Sequence, residues 1–302
     1  MQIGTKQFYQ SQLTGMSDLQ TKIGRIQEEV SAGKKILNPS DDPGAYTVVE
    51  RLNQSISSMD QYNRNIGMAK SRLSQEDSVL ASVSNIIARL NELGVQGANS
   101  TNDDVARGAI ATEMDQLSQQ LVALGNSVDA NGDYLFAGYK GNVPPFSVDK
   151  GIEKVVYNGD TGRKDVEIAK GVSTPTSSNG LELFMNVSRN GNQTVSIFDI
   201  IKNATTALNT GNVPDTVLSD LKGAIDHFST YQAICGARLQ KVETADTTRL
   251  TQLTNTKTTL SMIQDSDLAA LASDLQQKTL ALQAAQSVFA KISQLSLFNF
   301  IK

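Results

Sequence analysis

Tryptophan is absent, cysteine and histidine occur once each, and aromatic residues make up only 5% of the 302 residues. Each shortage removes a class of protein. The single cysteine, Cys235, leaves no internal disulfide and no multi-cysteine metal site. The single histidine, His227, cannot build a multi-histidine centre. So few rings argue against a large globular core wrapped around a buried cofactor, and none is expected. No run reaches the ~18 apolar residues of a membrane span. The first residues, MQIGTKQFYQSQ, have no charged segment leading into an apolar one, so no cleavable secretory signal is expected. Lys and Arg total 27 against 31 Asp and Glu, a net charge of −4, and they are scattered. That leaves no electrostatic footprint for nucleic acid and no basic helix for an anionic membrane, so neither is an expected partner.

Catalytic signatures are missing too. The chain has no G-x-x-x-x-G-K-[ST], G-x-S-x-G or H-E-x-x-H; Gly159-Asp-Thr-Gly-Arg-Lys164 lacks both the spacing and the hydroxyl of a phosphate loop. His227 and Cys235 stand eight positions apart on a predicted helix, about 80° off one face. They read as a solvent-edge histidine and a packed thiol, not a nucleophile pair. The adjacent Asp41 and Asp42 have no basic constellation around them and read as caps. No enzyme is expected, and no catalytic, cofactor or metal residues are assigned.

What remains is helix. From Asp265 to the end no Gly or Pro occurs, and Leu268, Leu271, Leu275, Leu282, Ala285, Phe289 and Ile292 fall on the a and d positions of a heptad, broken only by Lys278. Asp265, Ser266 and Asp267 supply cap candidates and acidic first-turn charge. About 50 Å of uninterrupted helix is possible at ~1.5 Å per residue. At the other end Tyr9, Met16, Leu19, Ile23, Ile26 and Val30 fit the same frame, with Gln12 the one polar member. These two narrow stripes are expected to pair with each other, and a two-helix seam still leaves apolar surface for neighbours.

Between the ends the chain alternates helix with punctuation. Gly33 is a helix stop, Asn38-Pro39 a turn, and Asp42-Pro43 an N-cap with proline at N1. Asn38, Pro39, Asp41, Asp42 and Pro43 are therefore expected to form a hinge and cap. Helix runs from Ala45 to about Leu93, with Val49, Leu52, Ile56, Met59, Ile66, Leu73 and Leu80 on one stripe, which shifts frame to Val83, Ile87 and Leu90. Gly94 to Asp104 reads as a polar turn, with Asn102 or Asp103 capping a helix that carries Ile110, Met114, Leu117, Leu121, Leu124 and Val128. Short loops between long helices imply antiparallel packing. Tyr134 to Gly138 is strand-like, and Val155 and Tyr157 with Val166 and Ile168 read as a hairpin around Asn158 to Gly162. Helix returns at Ile197 to Leu208 and again with Leu221, Ile225, Phe228, Cys235, Leu239, Val242, Leu253, Leu260 and Ile263. The expected fold is mainly α: a long antiparallel helical rod with paired terminal coiled-coil helices and a small β-rich inserted domain.

Three stretches resemble the bacterial flagellin family. Glu28-Glu-Val-Ser-Ala-Gly-Lys-Lys-Ile-Leu-Asn-Pro-Ser-Asp-Asp-Pro43 is similar to its N-terminal signature. Gly236-Ala-Arg-Leu-Gln-Lys-Val-Glu243 and Ser261-Met-Ile-Gln-Asp-Ser-Asp267 are similar to segments of its C-terminal half. Within the family, the prolines bracketing Asp41 and Asp42 resemble the branch that joins hook to filament. So do Asn131-Gly-Asp-Tyr-Leu-Phe-Ala-Gly-Tyr-Lys140 leading to Pro144-Pro-Phe146, and an end, Ser296-Leu-Phe-Asn-Phe-Ile-Lys302, that departs from the usual flagellin terminus. The resemblance implies an extracellular structural subunit of the flagellum. Residues 1–44 and 264–302 would form an inner tube domain, 45–138 and 196–263 a rod, and 139–195 an outward β-rich domain. It implies contacts with identical subunits, with another hook-associated protein on the hook side and with flagellin on the filament side. An export chaperone would meet the C-terminal helix. The seam residues Met16, Leu19, Ile23, Ile26, Val30, Leu268, Leu271, Leu275, Leu282, Phe289 and Ile292 would then be the subunit interface. A filament subunit of the same family, and a soluble helical module binding a ligand through its insertion, are the other readings.

Overall fold

The periodic stretches fold as helices, and the breakers separate them. The computed structural model describes residues 2–99, 102–149, 151, 154–189, 193–211 and 213–298, without the side chains of 2–6 and 294–298. Of the terminal stretch 296–302 singled out above, residues 299–302 and all the side chains thus lie outside the described residues. The elements are α1 (Gln2–Ala32), α2 (Pro43–Gly97), α3 (Asp104–Gly125), α4 (Ile197–Thr210), α5 (Asp215–Gln264) and α6 (Leu268–Phe298). Between α3 and α4 lie three two-stranded antiparallel ladders: β1 (Phe146–Asp149) with β2 (Lys154–Tyr157), β3 (Asp165–Ala169) with β4 (Val172–Pro175), and β5 (Val187–Arg189) with β6 (Gln193–Val195). The fold is mainly α, with a small β-rich insertion.

The chain divides into two compact units, residues 1–58 with 252–302, and residues 59–251. The second holds most of the core. Leu73, Leu80, Val83, Ile87 and Leu90 of α2 are buried, as are Met114 and Leu121 of α3 and Leu221, Phe228, Cys235 and Val242 of α5. Both stripes read in α2, before and after the frame shift, therefore face inward. The insertion is anchored by aromatic rings. Phe136, Phe146, Phe198 and Phe228 all meet Phe184, at centroid distances of 5.5, 5.0, 6.2 and 5.4 Å. Phe184 sits in a single π-helical turn, Leu181–Met185. Three of these pairs are edge-on and that with Phe198 is stacked, arrangements that add about 0.5–1.5 kcal/mol each beyond their buried area. A chain poor in aromatics thus concentrates them where its irregular segment has to be held.

Caps follow the side-chain chemistry. Asp103 accepts the Ala106 N–H at 2.7 Å to start α3, and Ser196 accepts that of Phe198 at 3.1 Å to start α4. Gly211, at φ 75°, closes α4 in the left-handed conformation that glycine adopts without strain.

Four expectations are corrected. Helix α3 ends at Gly125, so Val128, expected on its stripe, lies beyond it. Helix α2 does not stop near Leu93 but runs on through Gly94 to Gly97. A Cβ on Gly94 would lie 3.0 Å from Leu221, and one on Gly97 would lie 2.1 Å from Leu208. These glycines are there for close helix approach and not for a turn. Tyr134 to Gly138 forms no ladder beyond a lone bridge of Tyr134 to Val128; Leu135, Phe136 and Ala137 instead plug the core. The hairpin between Val155–Tyr157 and Val166–Ile168 does not form, because β2 pairs back to β1 and β3 pairs forward to β4. Asp160 explains this. Its carboxylate accepts the N–H groups of Tyr139 and Gly162, and its carbonyl accepts from Tyr157 Oη and Asn179 Nδ2, folding the turn onto residues 136–139.

Candidate assembly interface

Helices α1 and α6 run antiparallel, as their end contacts establish. Near the free ends Tyr9 meets Phe289 edge-on at 5.5 Å, and its hydroxyl lies 3.5 Å from the Ile292 carbonyl. At the other end the two breaker segments join. Lys34 and Asp265 form an isolated antiparallel backbone bridge, the Lys35 N–H donates to the Gln264 carbonyl at 2.8 Å, and the Ser266 N–H donates to the Gly33 carbonyl at 3.1 Å. Gly33, at φ 67°, makes that crossing possible, since a side chain there would be strained. Asp267 caps α6 by accepting the N–H groups of Ala269 and Ala270 at 3.0 and 3.1 Å.

The predicted seam residues lie on the sides of α1 and α6 with least exposure. Met16, Leu19 and Ile23 are half-buried and Ile26 is buried; Leu271, Leu275, Leu282, Phe289 and Ile292 are half-buried. Val30 and Leu268, at the turn end, are exposed. Sequence reasoning overlooked a second set. Phe8, Leu13, Leu280 and Val288 are exposed, with Leu280 at 68%. They lie off the a and d positions, so a search for a single stripe passes over them; a count of large apolar residues outside the stripe would have flagged them.

The breaker block is built by its carboxylates. Asn38-Pro39-Ser-Asp41 closes as a turn, with the Asp41 N–H donating to the Asn38 carbonyl at 3.0 Å and proline at the position where its fixed φ is favoured. The Asp41 carboxylate accepts the N–H groups of Asn38 at 2.9 Å and Leu37 at 3.1 Å, and Arg25 pairs with it at 3.2 Å. Those backbone bonds, first from Asn38 and then from Leu37, hold its carboxyl below the usual range, with Arg25 adding to them. Asp42 accepts the Ala45 N–H at 2.9 Å and starts α2, with Pro43 as its first helical residue. Asp42 thus caps a helix, whereas Asp41 clasps the loop to α1. Arg25, and Lys35 through a bond to the Met262 carbonyl at 3.1 Å, complete the clasp; both went unremarked in the sequence.

The arrangement offers surfaces rather than chemistry. His227 is half-buried, with Nε2 3.1 Å from the Leu183 carbonyl, and burial lowers its pKa. Cys235 is buried against the Leu73 carbonyl, and burial pushes its thiol up to about 12. Among the described residues no group of three or more His, Cys, Asp or Glu side chains is placed to hold a metal ion. Among them, too, no helix is long and apolar enough to cross a membrane.

Residues 3–141 match the family described as the bacterial flagellin N-terminal helical region. The chain is 29% identical to flagellar hook-associated protein 3 of Escherichia coli K12 over 321 aligned positions, covering 100% of both. It is 25% identical to the flagellin of Listeria innocua, covering 89% of this chain and 88% of that one. Among solved structures, flagellar hook associated protein-3 of Legionella pneumophila superposes with a TM-score of 0.66 at 19% identity, covering 71% of this chain and 98% of that one.

Proposed function

We infer that this chain is a member of the bacterial flagellin superfamily and a non-enzymatic structural component of the flagellum, the adaptor at the hook–filament junction. The observation that carries this reading is end-to-end alignment with hook-associated protein 3. An adaptor has to present two different faces and therefore needs the whole chain. The subunit is extracellular and assembles with other flagellar components.

In the finer proposal, α1 and α6 form the inner tube domain (1–44 and 264–302), residues 45–138 and 196–263 the rod, and 139–195 project outward. The seam residues from Met16 to Val30 and from Leu268 to Ile292 meet the same helices in identical subunits, with Phe8, Leu13, Leu280 and Val288 extending the contact. Exposed apolar side chains on a helix pair need a partner, and copies of the same chain offer the matching surface. Another hook-associated protein contacts the hook side, flagellin the filament side, and an export chaperone holds α6 before assembly. Asn38, Pro39, Asp41, Asp42 and Pro43 set the angle at which the chain leaves α1.

Deletion in the source bacterium tests the junction role. A lost adaptor leaves flagellin in the medium without attached filaments, and complementation restores them. Abolition of the filament protein itself would instead mark this chain as the filament subunit, the reading that the Listeria alignment favours. Normal motility after deletion would sink both.

A further inference from the structure

Five polar side chains are buried in one short stretch of the insertion. Thr174, Thr176, Ser177, Ser178 and Asn179 are each no more than 4% exposed. Residues of these types are mostly found at the surface, so something has to hold them in. From within the insertion, the Lys164 carbonyl accepts both the N–H and the hydroxyl of Thr176 at 2.9 Å, and Asn179 Nδ2 donates to the Asp160 carbonyl at 2.7 Å. From α5, Arg238 donates to Ser178 Oγ at 3.1 Å and Lys241 to the Ser173 carbonyl at 2.7 Å. From α2, Glu76 Oε1 accepts the Ser178 N–H at 2.9 Å.

Glu76 is the unusual member. It is 0% exposed, and its second oxygen, Oε2, is buried without a hydrogen-bond partner. A full charge on such a carboxyl is costly, whereas the protonated form still leaves an oxygen to accept the Ser178 N–H. Two cations face it. Arg72, on the same helix, gives Nη1 to Asp129 and Nη2 to the Tyr134 carbonyl while its Nε is buried without a partner, and Arg238 gives Nη1 to Ser178 Oγ. Cys235 of α5 lies close enough to feel the charge of Glu76, and Asp77 of α2 acts on Cys235 as well. Burial raises the Glu76 pKa, against the opposing pull of Ser178, Arg238 and Arg72.

We propose that the seat of residues 174–180 on α2 is a proton-gated latch, closed on the neutral form of Glu76 and loosened when that carboxyl ionises. The folded state holds this proton more tightly than the unfolded chain does. The latch therefore contributes fully below the ordinary carboxylate pKa and weakens as pH rises toward the folded value. The change is about tenfold in the opening equilibrium per pH unit across that interval. His227 acts with the opposite sign. Burial lowers its pKa against the pull of the Leu183 carbonyl, so it is the buried seat of the ring that weakens as pH falls below the ordinary imidazole value; Tyr231 and Glu182, the latter paired with Arg163, flank it.

Hydrogen exchange on the full chain, normalised to intrinsic rates, reads the latch in peptides covering 173–181 between pH 5 and pH 9. Protection in the wild type should fall with rising pH, by up to about tenfold per unit. It should stay level in Glu76→Gln, while His227→Gln retains the fall. Equal slopes in wild type and Glu76→Gln overturn the proposal, as does a wild type with no slope. Arg238→Gln provides a second test that leaves Glu76 in place. Removing a cation that favours the ionised form should move the fall to higher pH, and a move to lower pH refutes the latch.

Discussion

Leu280 and Val288 on α6 offer the sharpest test of the proposed subunit contact. They are 68% and 51% exposed, whereas Leu282 and Phe289 on the same helix are half-buried beside α1. Replacing both exposed residues by Asp alters surface positions, so the free protein should lose no more than about 0.5 kcal/mol at each. In an assembly that covers them, the apolar surface now in water would contribute roughly 1–2 kcal/mol per side chain. A carboxylate placed there instead adds a desolvation penalty of several kcal/mol. The sum exceeds about 4 kcal/mol per subunit, or roughly a thousandfold in each association step. Circular dichroism and melting of the purified Leu280→Asp/Val288→Asp protein should match wild type, while cells carrying it should show no incorporation at the hook tip and no motility. Incorporation at wild-type levels would refute the assignment of these residues to a subunit contact. Unfolding of the free chain would place them in an intramolecular core instead. The companion variant Leu282→Ala/Phe289→Ala should lower melting as well as assembly, because those side chains already pack on α1.

Three further outcomes are expected. Asp41 has a lowered pKa, so its clasp contributes above the ordinary carboxylate value and is lost as pH falls through the folded value; Asp41→Asn should remove that acid dependence from exchange of the Leu37 and Asn38 amides, and an unchanged profile would count against the clasp. Cys235, buried with its thiol pushed up to about 12, should resist thiol reagents at pH 8 until denaturant is added, so rapid native labelling would contradict its placement. Phe184→Ala should cost about 3–5 kcal/mol in denaturant unfolding, and a loss below about 1 kcal/mol would mean that the aromatic cluster does not anchor the insertion.

The features legible in the sequence are those whose causes lie within a few residues. A heptad stripe needs only its own spacing, so α1 and α6 and the sides on which they pack could be read directly, as could Asp42 with Pro43 starting α2; for α3 the sequence offered Asn102 or Asp103, and the fold uses Asp103. Composition only removed other classes, and the signature stretches alone carried the resemblance to a flagellar structural family. Tertiary structure decided whatever depends on a distant partner. Gly94 and Gly97 look like a turn until Leu221 and Leu208 arrive to need the space of a missing Cβ. The strand partners around Asn158 to Gly162 were settled by Asp160 binding residue 139, not by the turn residues themselves. Glu76 reads as one more polar position on a long helix, and only the approach of Ser178, 102 residues away, seals it from water. Period and capping are local energies written in consecutive residues, whereas burial depends on which other segment arrives, and that becomes definite only when the chain is folded.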